Sequence, residues 1–208
     1  MNPYRHADKA LKTLKADMEG SFQNFSMTVG FDELNYTDLR KSVNGLYTQI
    51  DTMVRRELRK VARQVYRDAE DEIGIPHREF ATGLFLIGIL KDYNKVTKYV
   101  YLNEWTRKRD RLVESLMASD GNQEMRQALQ RALNLMSDQV RQYADNVTDE
   151  ARRDAFVTAG IEKVRWVAEK DDKTCATCKE RDGQVYGINE VPEKHRHCRC
   201  YIVAVSMN

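Results

Sequence analysis

The residues best suited to chemistry lie close together near the C-terminus. All four cysteines of the 208-residue chain fall between Cys175 and Cys200, in the order CxxC, an intervening loop and CxC. His195 and His197, two of the four histidines, lie just before the second pair. Two nearby pairs of thiols that a loop brings together match what a tetrahedral zinc site requires. The spacing therefore predicts a metal site in this segment.

Five side chains compete for the four positions of such a site, namely Cys175, Cys178, His195, Cys198 and Cys200. A CxxC turn folds two thiols towards one ion, and two cysteines separated by one residue share a face if they lie on a strand. We expect Cys175, Cys178 and Cys198 to bind zinc together with either Cys200 or His195. Four protein ligands leave no open position on the metal, so the predicted zinc is structural rather than catalytic.

Three other interpretations of the cysteines stay open. They could form two disulfides, although the absence of a secretory signal predicts synthesis in a reducing cytoplasm, and oxidation could still follow in an extracellular particle. The CxxC could be a redox pair, but no βαβ pattern surrounds it. The thiols could also be free and buried. Zinc is the interpretation that the combined spacing favours.

The segment around the cysteines has the pattern of a small β unit. The alternation at 164–168 predicts a strand, and 171–174 predicts a turn that presents Cys175. The pair Asp182-Gly183 predicts a hairpin before a short strand at 184–186, and 201–205 predicts a closing strand. A unit of this size has little core of its own, so a metal would supply missing stability.

Read together, these pieces resemble the tailed-phage head morphogenesis family, the minor head proteins typified by protein F of phage Mu. The similarity spans roughly 137–205 and is most specific at 164–205. One departure is that Pro192 stands three residues before His195, where the family usually has two. The residues that carry the resemblance are Trp166-Val167-Ala168, Thr174-Cys175-Ala176-Thr177-Cys178, Asp182-Gly183, Pro192 and His195-Arg196-His197-Cys198-Arg199-Cys200.

The resemblance implies a structural protein of the virion, synthesised in the host cytoplasm. Members of the family act in head morphogenesis, are present in few copies and associate with the portal vertex. Expected partners are therefore the portal protein and other head proteins, with packaged DNA and its delivery as a further candidate role. Oligomeric association during assembly is also expected.

The preceding 160 residues have the pattern of long amphipathic helices. The expected fold class is mainly α, as a long-helix bundle or hairpin stack, with a small C-terminal β-rich module that carries the Cys/His zinc knot. The expected division is an α-helical body at 1–160 and a C-terminal module at 161–208. Helices are predicted at 3–18, 37–73, 77–90, 91–118, 123–145 and 148–159, and 20–35 is predicted to be a connector.

The charge of the chain is nearly balanced, with 34 basic and 32 acidic residues. This balance argues against a protein that coats nucleic acid through bulk charge. The most apolar run, 81–90, is half the length of a bilayer span, so no membrane partner is expected. One face of the helix at 37–73 is basic, however, and predicts either a solvated face or a surface for DNA or an acidic protein. The alternative function is thus a zinc-stabilised nucleic-acid-binding module. The basic residues are Arg55, Arg56, Arg59, Lys60, Arg63 and Arg67.

The sequence carries no motif for a common enzymatic site. There is no glycine-rich phosphate loop, no GxSxG and no H-x-E paired with P-C-x-x-C. His6 and His77 are isolated, and we interpret both as ordinary surface or capping residues. No nucleophile and base can be paired from spacing, so the chain is not expected to be an enzyme.

Overall fold

The computed structural model describes residues 2–29, 35–81, 101–172 and 174–205. Long helices precede a small antiparallel sheet, and the cysteines lie around that sheet, so the predicted fold class is confirmed. None of the helices within the described residues is long and apolar enough to span a bilayer. The elements are α1 (Arg5–Thr28), α2 (Tyr36–Ile73), α3 (Tyr101–Met117), α4 (Asn122–Thr158), β1 (Lys163–Val167), α5 (Ala176–Arg181), β2 (Val185–Gly187) and β3 (Tyr201–Ala204).

Helix α2 follows its prediction closely. A continuous stripe of apolar residues lies buried along it, from Leu39 and Val43 to Val65 and Ala69. The helix ends where Gly74 adopts a φ of 70°, and the amide of Ile75 donates to the carbonyl of Glu70 at 3.2 Å. Glycine accepts this left-handed conformation without the steric cost of a Cβ, which is why the helix stops there.

Two helices are longer than predicted. Helix α1 continues to Thr28 through half of the predicted connector, because Phe22 and Phe25 extend the buried stripe. Helix α4 is continuous, so the predicted break before Thr148 is wrong. The hydroxyl of Thr148 donates to the carbonyl of Ala144 at 2.8 Å inside the helix and does not cap a new one.

The predicted helix at 77–90 is wrong at its start, because residues 75–81 are not helical. The remainder of that prediction, and the part of the helix at 91–118 that precedes Tyr101, lie outside the described residues. Phe80 stacks on Tyr66 with ring centroids 4.1 Å apart, so an extended segment after α2 folds back along the helix.

The chain divides into two compact units, each of which combines parts distant in sequence. One consists of Met1–Lys9, Leu58–Gly83 and Arg141–Asn208, and the other of Ala10–Glu57 and Leu84–Val140. The division predicted between residues 160 and 161 stays a prediction. In the second unit, the rings of Tyr47 and Trp105 meet edge to face at 5.6 Å.

The first unit contains the sheet, whose strand order is β2-β1-β3 with both pairs antiparallel. Val164 and Trp166 on β1 and Ile202 on β3 are buried, whereas Lys163 and Arg165 are exposed, so the strands alternate as a half-buried sheet does. The inner face packs on α2 and α4. The core cluster contains Tyr66, Ala69, Ala155, Phe156, Val164, Ile188 and Ile202.

Candidate metal centre

The first cysteine pair lies at the start of the short helix α5. Cys175 is its N-cap, with extended φ and ψ of −69° and 162°, and its sulfur accepts a hydrogen bond from the amide of Cys178 at 3.4 Å. The carbonyl of Cys175 accepts from the amide of Lys179 at 3.0 Å. A thiol here does what Ser or Asp does at other helix starts, and the same turn brings both sulfurs to one side. This helix was not predicted from the sequence.

The Asp182-Gly183 turn has a different role from the predicted two-residue hairpin. It follows α5 and leads the chain back to the sheet, where the amide of Gly183 donates to the carbonyl of Trp166 at 2.9 Å. The carboxylate of Asp182 accepts from the amide of Ala168 at 2.9 Å. The turn therefore ties α5 to β1 and fixes the position of the first cysteine pair.

The second pair lies in a loop just before β3. The amide of Cys198 donates to the carbonyl of His195 at 3.1 Å, and His197 has a φ of 59°, so the chain makes a tight turn there. The CxC precedes the strand, which begins at Tyr201. Cys198 and Cys200 are nevertheless both buried.

All five predicted ligands come together around Cys178. The Nε2 atom of His195 lies 3.4 Å from the sulfur of Cys175 and 3.4 Å from that of Cys178. On the other side, the sulfurs of Cys178 and Cys198 are 3.6 Å apart. Two groups of side chains could therefore hold a metal ion, and they share Cys178: Cys175, Cys178 and His195, and Cys178, Cys198 and Cys200.

These separations match the edges of a tetrahedron around zinc. Zn–S bonds of about 2.3 Å and Zn–N bonds of about 2.0–2.1 Å place two sulfurs about 3.8 Å apart and a sulfur and a nitrogen about 3.5 Å apart. The observed contacts of Cys178 are 3.4 Å to His195 and 3.6 Å to Cys198. The donor set, thiol and imidazole, is also the one that zinc prefers.

The imidazole of His195 is oriented by a second contact. Its Nδ1 atom lies 3.0 Å from the carbonyl oxygen of Arg196. A proton on Nδ1 would be donated to that carbonyl and would leave the lone pair of Nε2 directed at the sulfurs. Histidines that bind metals commonly have this arrangement, in which the second nitrogen is held by a backbone carbonyl.

The electrostatics of the thiols differ across the cluster. The amide of Cys178 donates to the half-buried Cys175 and lowers the pKa of its thiol. Burial, and then the neighbouring thiols, raise the pKa of Cys178, and burial raises that of Cys198. Several buried thiolates in contact would repel one another, so a cation is needed to stabilise them together.

The four cysteines are free thiols and not disulfides. The sulfurs of Cys178 and Cys198 are 3.6 Å apart, whereas a disulfide bond is about 2.05 Å long. His6 and His77 lie away from the cluster, where their Nε2 atoms contact Asp68 and Asp71 at 2.8 Å each.

A buried polar network supports the loop of the second pair. The hydroxyl of Tyr4, a fully buried residue, lies 2.6 Å from a carboxylate oxygen of Asp149 and 3.0 Å from the carbonyl of Cys200. Lys194, which precedes His195, donates to Tyr4 at 3.0 Å and to Asp149 at 2.5 Å. Lys194, which is next to His195, and the backbone of Cys200 are thus fixed to α4 and to the residue that precedes α1.

Arg199 provides a second connection to α1. Its guanidinium donates to Asp8 at 2.8 Å and lies 5.0 Å from the centre of the Tyr4 ring. Sequence reasoning missed Tyr4, Asp8, Asp149 and Lys194 as supports of the site. Tyr4 lies within the helix predicted at 3–18. No local signal in the sequence relates it to Cys200, which lies near the other end of the chain.

Comparison with known proteins places these features in a family. No curated protein and no solved structure matches the chain. The model of the family described as "Phage Mu protein F like protein" matches residues 107–203, which include most of α3, all of α4 and the whole Cys/His cluster. The match begins 30 residues before residue 137, where the similarity was expected to start, and the added residues lie mostly in helices without a recognisable motif. Residues 107–203, just under half of the chain, therefore match the phage Mu protein F-like family, which confirms the resemblance predicted from the sequence and indicates a phage head-related protein.

Proposed function

We propose that this chain is a structural minor head protein of a tailed phage or prophage, which acts in head assembly at the portal vertex and becomes part of the virion. The family match over residues 107–203 is the observation that carries the proposal. Its role is non-enzymatic, and its partners are the portal protein and other head proteins. A part in DNA delivery is included in the proposal as a later function of the same protein.

Within that role, a structural zinc ion holds the C-terminal module together. Cys175, Cys178 and Cys198 bind it, and His195 is the fourth ligand because its Nε2 atom is 3.4 Å from two of the sulfurs. Cys200 is the alternative fourth ligand, since it also lies in a group with Cys178 and Cys198. Zinc supplies a closed four-ligand centre that joins α5 to the loop before β3.

Co-sedimentation with purified portal rings tests the proposed partner. The zinc-loaded chain is expected to sediment with the rings and to remain in the supernatant without them. A chain with Cys178→Ser serves as the control, because it removes the thiol shared by both candidate groups. Failure of the intact chain to sediment with rings or to appear in assembled heads would contradict the proposal.

Nucleic-acid binding is a second candidate because α2 presents exposed basic residues. Of the residues that suggested it, Arg55 donates to Asp51 at 2.6 Å and the Nε of Arg56 donates to Glu57 at 3.1 Å, while Arg59 is exposed. Local pairing of this kind reduces the charge offered to phosphates. Salt-dependent DNA binding that is lost on charge reversal at Arg55, Arg56 and Arg59 would favour this function.

A further inference from the structure

The three-stranded sheet has an outer face with an unusual combination of charge and apolar surface. Residues opposite one another in antiparallel strands share a face, so the pairing of Arg165 with Val185 on β2 and with Val203 on β3 places all three in one row. Lys163 and Gly187 form the next row. We define these five residues as the outer face.

This face is open to solvent. Lys163 and Arg165 are exposed, and Val185 keeps 47% of its surface exposed although valine is usually buried in a sheet. Val203 is half-buried. The opposite face of the same strands is covered, because Val164, Trp166 and Ile202 pack into the two core clusters. One face of the sheet is thus buried in the core, and the other is accessible to a partner.

Neither cation on the outer face forms an ion pair among the described residues, although the carboxylate of Glu190 lies over Gly187 in the row of Lys163. Oppositely charged cross-strand pairs would stabilise the sheet, yet the positions on either side of Arg165 are both valine. Other arginines nearby are paired: Arg199 with Asp8, and Arg152 with Glu72. Arg165 therefore differs from these two arginines.

Such a row resembles the centre of a protein interface. Arginine is enriched at the energetic centre of interfaces, and the surrounding apolar contacts add binding energy mainly by excluding water from it. Val185 and Val203 are placed to do this for a carboxylate bound at Arg165. A surface for DNA would instead offer hydroxyl, amide or further basic groups to successive phosphates, and the valines offer none of these.

We propose that the outer face is the docking surface for an acidic, partly apolar segment of a neighbouring head protein. The proposal rests on the proposed function, because it identifies the surface through which the chain is held in the head. Arg165 and Lys163 attract and orient the acidic segment, and the two valines pack against its apolar side chains.

Incorporation into heads tests this surface. The encoding phage is grown with its own copy of the gene removed, the chain is supplied as wild type or variant, and its copies per head are counted by quantitative mass spectrometry. The double variant Lys163→Glu with Arg165→Glu is expected to be reduced at least tenfold. The neutral pair, Lys163→Gln with Arg165→Gln, is expected to give an intermediate loss. Circular dichroism and metal content of each purified variant show that it is folded.

A matched control reverses the same amount of charge elsewhere. Lys12 and Arg131 are exposed and have no ion pair among the described residues, so Lys12→Glu with Arg131→Glu keeps the same net charge as the test variant. If this control enters heads at the wild-type level while the outer-face variant does not, the proposal is supported. Wild-type incorporation of a folded outer-face variant overturns it and leaves the proposed function intact.

Two further outcomes separate the remaining explanations. If the wild-type chain is absent from heads, the proposed function itself fails, and the docking surface fails with it. If the wild-type chain is retained in DNA-filled heads but is absent from procapsids that have not packaged DNA, the occupant is DNA, which overturns the assignment to an acidic protein segment. We expect the wild-type chain to be present in both kinds of head, and the variant with reversed charge at Lys163 and Arg165 to be absent from both.

Discussion

Replacing Tyr4 with phenylalanine isolates one connection between the candidate metal centre and the rest of the first unit. Tyr4 is fully buried, and its hydroxyl lies 2.6 Å from Asp149, 3.0 Å from Lys194 and 3.0 Å from the carbonyl of Cys200. The hydroxyl has one proton, and the shorter contact to a carboxylate indicates that Asp149 accepts it. Phenylalanine keeps the ring and removes only these polar contacts.

The expected cost is about 2 kcal/mol in the free energy of unfolding. A hydrogen bond to a charged group contributes about 1.5–3 kcal/mol, and the variant loses one to Asp149 and one from Lys194. The expected loss is smaller than the sum of the two bonds because Lys194 and Asp149 still contact each other at 2.5 Å. For a chain of this length, about 2 kcal/mol corresponds to a decrease in Tm of roughly 4–8 °C.

Thermal denaturation followed by circular dichroism measures this change, with the protein saturated with zinc. Hydrogen exchange gives the local readout, because faster exchange is expected at the start of α1 and in the loop around Cys198. Tyr36→Phe is the control, since Tyr36 is 46% exposed at the start of α2. Equal melting temperatures for the two variants would refute the reasoning that the Tyr4 hydroxyl holds the loop.

Further substitutions test the same unit. Arg152→Met is expected to cost about 2–3 kcal/mol in equilibrium urea unfolding, because Arg152 is 2% exposed and donates to the carbonyl of Ile202 and to Glu72; an unchanged midpoint would contradict this. Burial raises the pKa of Asp145 to about 6, so its contribution to stability is present below about pH 4 and is lost as the pH rises through 6. Asp145→Asn should therefore raise Tm relative to wild type at pH 8 and not at pH 4, and an equal difference at both pH values would be inconsistent with a raised pKa. Cys178→Ser should make the C-terminal module sensitive to limited proteolysis while far-ultraviolet circular dichroism stays strongly helical; loss of most helicity would show that the module and the helices unfold as one.

The cysteine cluster could be predicted from the sequence because its geometry is local. The spacing of Cys175 and Cys178 alone requires a tight turn, and the sequence places His195 and Cys198 within one further turn. The helix that forms around the first pair was missed, since six residues give too short a pattern to distinguish a helix from a loop.

The errors in the helices have a common physical cause. Gly20, Ser21 and Asn24 have low helix propensity and suggested a connector, but burial of Phe22 and Phe25 outweighs propensity. Similarly, Thr148 suggested a helix start, yet it is fully buried inside α4. Such tertiary packing is not visible in a local window of sequence.

The supporting network could not be predicted because its members are far apart in the chain. Tyr4 and Cys200 are in contact although they lie near opposite ends of the sequence, and Asp149 lies between them. Nothing in the spacing of these residues indicates that they meet. The same is true of the outer face, whose composition depends on which strands pair and in which register.

Metal analysis of the purified chain tests the central claim most directly. One zinc per chain is expected for the wild-type protein, and Cys178→Ser is expected to abolish it because both candidate groups contain that thiol. His195→Ala should weaken zinc binding more than Cys200→Ser does if His195 is the fourth ligand. A folded wild-type chain that binds no zinc after reduction and incubation with the metal, with four freely reactive thiols, would contradict the account.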